Sequence, residues 1–136
     1  MNRADAFALV TEYTTDPSLV KHMLAVEAAM RAYARKLGED EERWGIVGLL
    51  HDFDYERWPD PPDHPLKGSE ILRQRGYPED VIYAIQSHAD YLPDCPRVLC
   101  KMSAYIRLMR SFGSASGLRL ATQTPLIFFT TTSDTT

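Results

Sequence analysis

Four histidines carry most of the chemistry that can be read in this chain of 136 residues: His22, His51, His64 and His88. His51 is followed at once by Asp52, directly after the apolar run Gly48-Leu49-Leu50. Two polar groups ending an apolar helix need partners, because burying them unpaired costs on the order of several kcal/mol. A divalent metal meets that need. Neutral imidazole nitrogen and carboxylate oxygen are ligands for Fe, Mn, Zn or Ni, and a carboxylate can bridge two ions. Each residue also has a plainer role open to it. His22 fits a hydrogen-bonded core histidine and His64 a loop residue beside Pro65. His88 fits a helix C-terminus, where the macrodipole favours it.

The elements that must position these groups read as helices. Asn2 can cap a first helix running to about Tyr13. Asp16-Pro17 gives a cap followed by proline at the first helical position. From Ser18 to Leu37 the set Val20, Met23, Leu24, Met30, Tyr33, Ala34 and Leu37 recurs at helical steps, and Gly38 supplies the stop. Asp40 caps a third helix, Glu41 to about His51, with Glu41 and Glu42 well placed in its first turn. Trp44, Ile46, Val47, Leu49 and Leu50 cover most of its circumference, which predicts a buried central helix. Asp54 to Asp63 holds Pro59, Pro61 and Pro62 and reads as a loop. Pro65 starts a helix from Leu66 to Arg75, closed by Gly76. Tyr77-Pro78-Glu79-Asp80 opens another, ending near Ser87-His88. A last helical stretch runs from Val98 to about Met109. No alternating strand pattern occurs before residue 120. The prediction is an all-α domain of five to six helices over residues 1–112. Residues 113–136 form an atypical tail, with seven Thr among its last fifteen residues.

Composition narrows the function. Apolar residues make up 44% and charged residues 25%, a globular balance for one domain. With 15 Lys+Arg against 19 Asp+Glu, the formal charge of −4 leaves no basic surplus for a phosphate backbone, which argues against a nucleic-acid binder. The longest apolar runs are too short to span a membrane, and the N-terminus has no secretory apolar core. Cys95 and Cys100 are too few for a disulfide framework and lie apart from the histidines. A soluble cytoplasmic protein is expected.

The order of the polar groups is more telling than any one of them. His22, then His51-Asp52, then His64-Pro65-x-x-Gly68, then Ser87-His88-Ala89-Asp90 resembles the HD-domain superfamily of metal-dependent phosphohydrolases. The stretch Leu50-His51-Asp52-Phe53-Asp54-Tyr55 and the Gly76-Tyr77-Pro78 turn are similar to its small stand-alone bacterial members. The resemblance covers roughly residues 5–100. It implies the all-α HD fold and a centre of one or two divalent ions (Fe, Mn, Mg, Ni or Zn). His22, His51 and Asp52 match the first ligands, and His64 and His88 match the pair that holds a second ion. Asp52 would bridge them and carry the catalytic role. The implied reaction is attack of a metal-activated water on a phosphate ester or anhydride of a small phosphorylated compound, such as a nucleotide.

The family pattern also ends with an Asp on a later helix, and no Asp or Glu occurs here between Asp94 and Asp134. Family members usually continue into further helices where this chain has its Thr-rich tail, so the tail is expected to be an aberrant replacement. An alternative is therefore a non-catalytic HD module that binds metal or nucleotide. Around the expected site, Lys67 and Arg57 are candidates to hold a substrate phosphate, as point charge and fork respectively. Asp54 is a candidate to orient a ligand histidine or a water. Surface exposure for the two cations, and a turn or cap for Asp54, are the plainer roles. Trp44, Trp58 and the tyrosines read as packing.

Overall fold

The computed structural model describes residues 1–89, 91–92 and 101–109. Among them lie six helices and no strand: α1 (Arg3–Tyr13), α2 (Pro17–Leu37), α3 (Glu41–Leu50), α4 (Asp63–Gln74), α5 (Glu79–Gln86) and α6 (Lys101–Met109). This is the all-α class expected from the apolar spacing. Val98, the expected start of the last helix, and the tail 113–136 lie outside the described residues.

The helix ends follow from local chemistry. The Asn2 side chain accepts from the Asp5 amide at 2.9 Å and opens α1. Asp16 accepts from Ser18 N at 2.8 Å and opens α2. Asp40 accepts from Arg43 N at 3.0 Å and opens α3. Each satisfies one of the amide donors that a helix start leaves unpaired. Gly38 ends α2 at φ +69°, a left-handed conformation that costs glycine little. One boundary differs from the sequence reading. α4 begins at Asp63, three residues early, but His64 (ψ 128°) and Pro65 interrupt it with non-helical backbone. Proline forces the residue before it out of the helical region, so regular helix resumes only at Leu66.

Helix α3 is the axis of the bundle. Every residue from Trp44 to Leu50 is buried, and α1, α2, α5 and α6 all pack on it. Its closest neighbour is α2, whose buried face is Met23, Val26, Glu27, Met30 and Ala34. Gly48 permits that approach: a Cβ there would lie 2.9 Å from both the Glu27 Cα and the Val26 carbonyl oxygen. Those are backbone atoms of α2 and cannot swing aside. Gly48→Ala should therefore destabilise the fold despite alanine's helix advantage of about 1 kcal/mol, because overpacking costs roughly 1–3 kcal/mol. A melting temperature lower by several degrees is expected in calorimetry, and a higher one would contradict the tight α2–α3 approach.

Glu27 itself is a buried carboxylate. Arg3 grips it with Nε to Oε1 at 2.7 Å and Nη2 to Oε2 at 3.0 Å, and Arg31 Nε adds a third bond at 3.0 Å. Arg31 Nη1 and the Arg3 amide then both reach Glu42. This network fastens α1 to the α2–α3 pair, away from the histidines.

Candidate metal centre

The α3 axis delivers its polar end to one place. His51 caps α3 with no exposed surface, and Asp52 follows it into the loop. His22 comes from the second turn of α2, His64 from the bend in α4, and His88 from just beyond α5. Their inward nitrogens converge on the Asp52 carboxylate. His22 Nε2 and His51 Nε2 lie 3.4 and 3.1 Å from Oδ2, while His64 Nε2 and His88 Nε2 each lie 3.3 Å from Oδ1. The two histidine pairs are themselves close, with Nε2–Nε2 distances of 3.1 Å in each. Asp52 thus offers one oxygen to each pair. His22-His51-Asp52 and Asp52-His64-His88 are two groups, sharing one carboxylate, each able to hold a metal ion.

The outer ring nitrogens fix most of these rings. His51 Nδ1 donates to the Gly48 carbonyl at 2.8 Å, and His88 Nδ1 donates to the Ile85 carbonyl. His64 Nδ1 bonds Asp54 Oδ1 at 2.7 Å. With Nδ1 donating, the Nε2 lone pair of a neutral ring faces the cluster, the tautomer that metal ligation needs. His22 differs, because its buried Nδ1 has no hydrogen-bond partner. Asp54 is 1% exposed, and its other oxygen accepts from the Gly68 amide at 2.8 Å. A Cβ at Gly68 would fall 2.7 Å from that carboxylate, so the glycine in His64-Pro65-x-x-Gly68 exists to let α4 approach Asp54.

The charges support this geometry. Burial alone would raise the Asp52 carboxyl, but His51 and the hydrogen bonds from His22, His51 and His64 hold it well below the usual carboxylate range. Burial would lower His51, yet the Asp52 charge and hydrogen bond leave it above its ordinary value. His64 is likewise opposed by burial and lifted by Asp52 and Asp54, to about 9. His88 is pushed down by burial. Without a metal, His64 thus holds a proton between two carboxylates while His88 stays neutral. Four inward nitrogens set around one shared carboxylate form a donor set that fits cations once His64 gives up its proton. The residues present therefore fit the divalent ions inferred from the sequence.

The other candidates are placed differently. The Arg57 guanidinium lies over the Tyr13 ring, 4.2 Å from its centroid, and donates to the Glu12 carbonyl at 2.7 Å. It clips the loop to α1 and makes no hydrogen bond into the cluster. Lys67 is 44% exposed, with its ammonium 3.9 Å from Glu70. Asp54 does contact a cluster histidine, as described. Sequence reasoning reads Tyr55 and Tyr91 only as packing. The Tyr55 ring meets the His64 ring edge-on at 5.2 Å, and Tyr91 Oη donates to the His64 carbonyl at 2.5 Å. Helix α6 turns Met102, Ser103, Ile106 and Met109 inward, and none of its nine residues is acidic.

The all-α bundle thus gathers four histidines on one aspartate at the end of its central helix, the donor set of a candidate metal centre. The chain belongs to the HD domain family, whose pattern matches residues 19–108. Among curated proteins it is similar to Ribonuclease Y of Oleidesulfovibrio alaskensis, 30% identical over 103 residues. That match takes in 75% of this chain and 18% of the relative, so the chain spans less than a fifth of that protein's length. No solved structure gives a significant match. Among the described residues no helix is long and apolar enough to cross a membrane.

Proposed function

We propose that the chain is a metal-dependent phosphohydrolase acting on a small phosphorylated compound, with His22, His51, Asp52, His64 and His88 as its metal ligands. One observation carries this: a single carboxylate, Asp52, faces two histidine pairs, one through each oxygen. The bound ions would acidify an attacking water and neutralise charge on the phosphoryl oxygens. The chain's own residues do the rest. Asp52 fixes the spacing of the two groups. Gly48, Ile85 and Asp54 hold three rings in register through their Nδ1 bonds. Burial of His51, His64 and His88 keeps bulk water from the ligands.

The relative's name denotes a ribonuclease, and RNA cleavage breaks a phosphate ester as well. The formal charge of −4 favours a small substrate over a polynucleotide, whose binding rests on released counterions. A second reading, a module that binds metal without turnover, is favoured by the absence of any carboxylate from Lys101–Met109. The deciding assay is hydrolysis of p-nitrophenyl phosphate and nucleoside 5′-monophosphates with added Mn, Fe, Ni, Zn or Mg. Turnover that chelation abolishes supports the hydrolase. Metal binding without turnover supports the second reading.

Metal uptake should depend on pH with a definite sign. His64 keeps its proton to about pH 9, above its ordinary value, and an ion ligated at Nε2 must displace that proton. Apparent Mn affinity should rise about tenfold per pH unit through neutral pH and level off near pH 9. Titration calorimetry in buffers of different ionisation heat should register about one proton released per ion bound near pH 7. A flat affinity from pH 6.5 to 9 would remove His64 from the ligand set.

A further inference from the structure

The described residues expose five large apolar side chains; two of them contact His64 and a third follows it two residues on in sequence. Tyr55 is 45% exposed with its ring against the His64 ring. Leu66, two residues after His64, is 37% exposed. Tyr91, 43% exposed, bonds the His64 carbonyl. Exposed apolar groups are ordinary when scattered, but a cluster beside a buried polar site marks a binding surface.

Tyr55 is also held in place. Its amide donates to the Asp52 carbonyl at 3.0 Å. On one side Asp54 is locked to His64 and Gly68. On the other, Glu56 accepts from Thr15 N, Thr15 Oγ1 and Asp16 N, at 2.7, 2.6 and 3.0 Å. The backbone beneath Tyr55 is therefore fixed and its ring stands exposed against the His64 ring, so stacking on it orders little that is not already ordered. Among the described residues that flank His64 in sequence, positive charge is sparse. Arg57 is engaged by Tyr13 and Glu12, which leaves Lys67 as the cation nearest His64 in sequence.

Resting on the phosphohydrolase reading, we infer that the site selects phosphomonoesters whose organic group carries a planar aromatic ring, which stacks on Tyr55, over polyphosphates and aliphatic esters. The test titrates phenylphosphonate and methylphosphonate, neither of which turns over, into the Mn-loaded full chain. Phenylphosphonate should bind about tenfold tighter, in keeping with aromatic stacking. Tyr55→Phe should keep that ratio, and Tyr55→Ala should bring it close to one. Equal affinities in the wild type overturn this proposal and leave the hydrolase reading standing. A parallel loss of both affinities in Tyr55→Ala, with the ratio kept, gives Tyr55 a structural role and also overturns it. If neither phosphonate binds the metal-loaded chain, the hydrolase reading fails and this inference with it.

Discussion

Asp52→Asn should abolish stoichiometric binding of Mn at both groups at once. Asp52 is the one residue that both ligand groups share. Removing a hydrogen-bond partner behind a ligand already costs about 10- to 100-fold in metal affinity, so loss of the bridging charge should exceed 100-fold at each group. The substitution is isosteric and leaves the α3 core untouched, so the chain should still fold. In the metal-free chain His51 and His64 should nevertheless titrate lower, because the Asp52 charge is what lifts His51 against burial and helps lift His64. Titration calorimetry measures the first effect, and histidine proton resonances followed against pH measure the second. Asp60→Asn, an exposed change in the same loop, is the control. If Asp52→Asn binds Mn as the wild type does, Asp52 is not the bridge.

His88→Ala and His22→Ala should separate the two groups, with unequal consequences. The Asp52-His64-His88 group has both histidine rings tied by their Nδ1 atoms, to Asp54 and to the Ile85 carbonyl. The His22-His51-Asp52 group has only His51 tied, to Gly48, and the His22 Nδ1 is unpartnered. It also lacks the acidic residue that the HD resemblance places on a later helix, since α6 carries none. Binding should therefore be stepwise, the first ion entering beside His64 and His88 and the second more weakly beside His22. His88→Ala should remove the tight step, lowering first-ion affinity by more than about 100-fold. His22→Ala should remove only the weak step. Identical loss from both variants would mean a single shared ion, and loss of the tight step from His22→Ala alone would reverse the order.

What the sequence makes legible follows from which interactions are local. Asn2, Asp16, Gly38 and Asp40 act on amides or backbone within a few positions, so their caps could be read directly. The all-α class follows from apolar spacing for the same reason. The convergence of four histidines across 67 positions is not local, and it was reached only through the order of motifs. The bend at His64-Pro65 was half legible: the proline signalled a boundary, but not that Asp63 would begin the helix. Arg57 could not be placed from sequence, since a guanidinium near a proposed phosphate site reads the same whether it faces the site or stacks on Tyr13. The burial of Glu27 was illegible too. Its pairing with Arg31 four residues on is a local signal, but its grip by Arg3 depends on how α1 packs. Gly68 was visible as part of a motif. Only the 2.7 Å gap to the Asp54 carboxylate explains why it must be glycine.

The most direct test of the central claim is an anomalous-difference map from crystals of the full chain grown with Mn and recorded where Mn scatters anomalously. A strong peak is expected within reach of Asp52 Oδ1 and the Nε2 atoms of His64 and His88, with a weaker one beside Asp52 Oδ2, His22 and His51. Peaks confined to other parts of the surface, with none among these five side chains in crystals saturated with Mn, would contradict it.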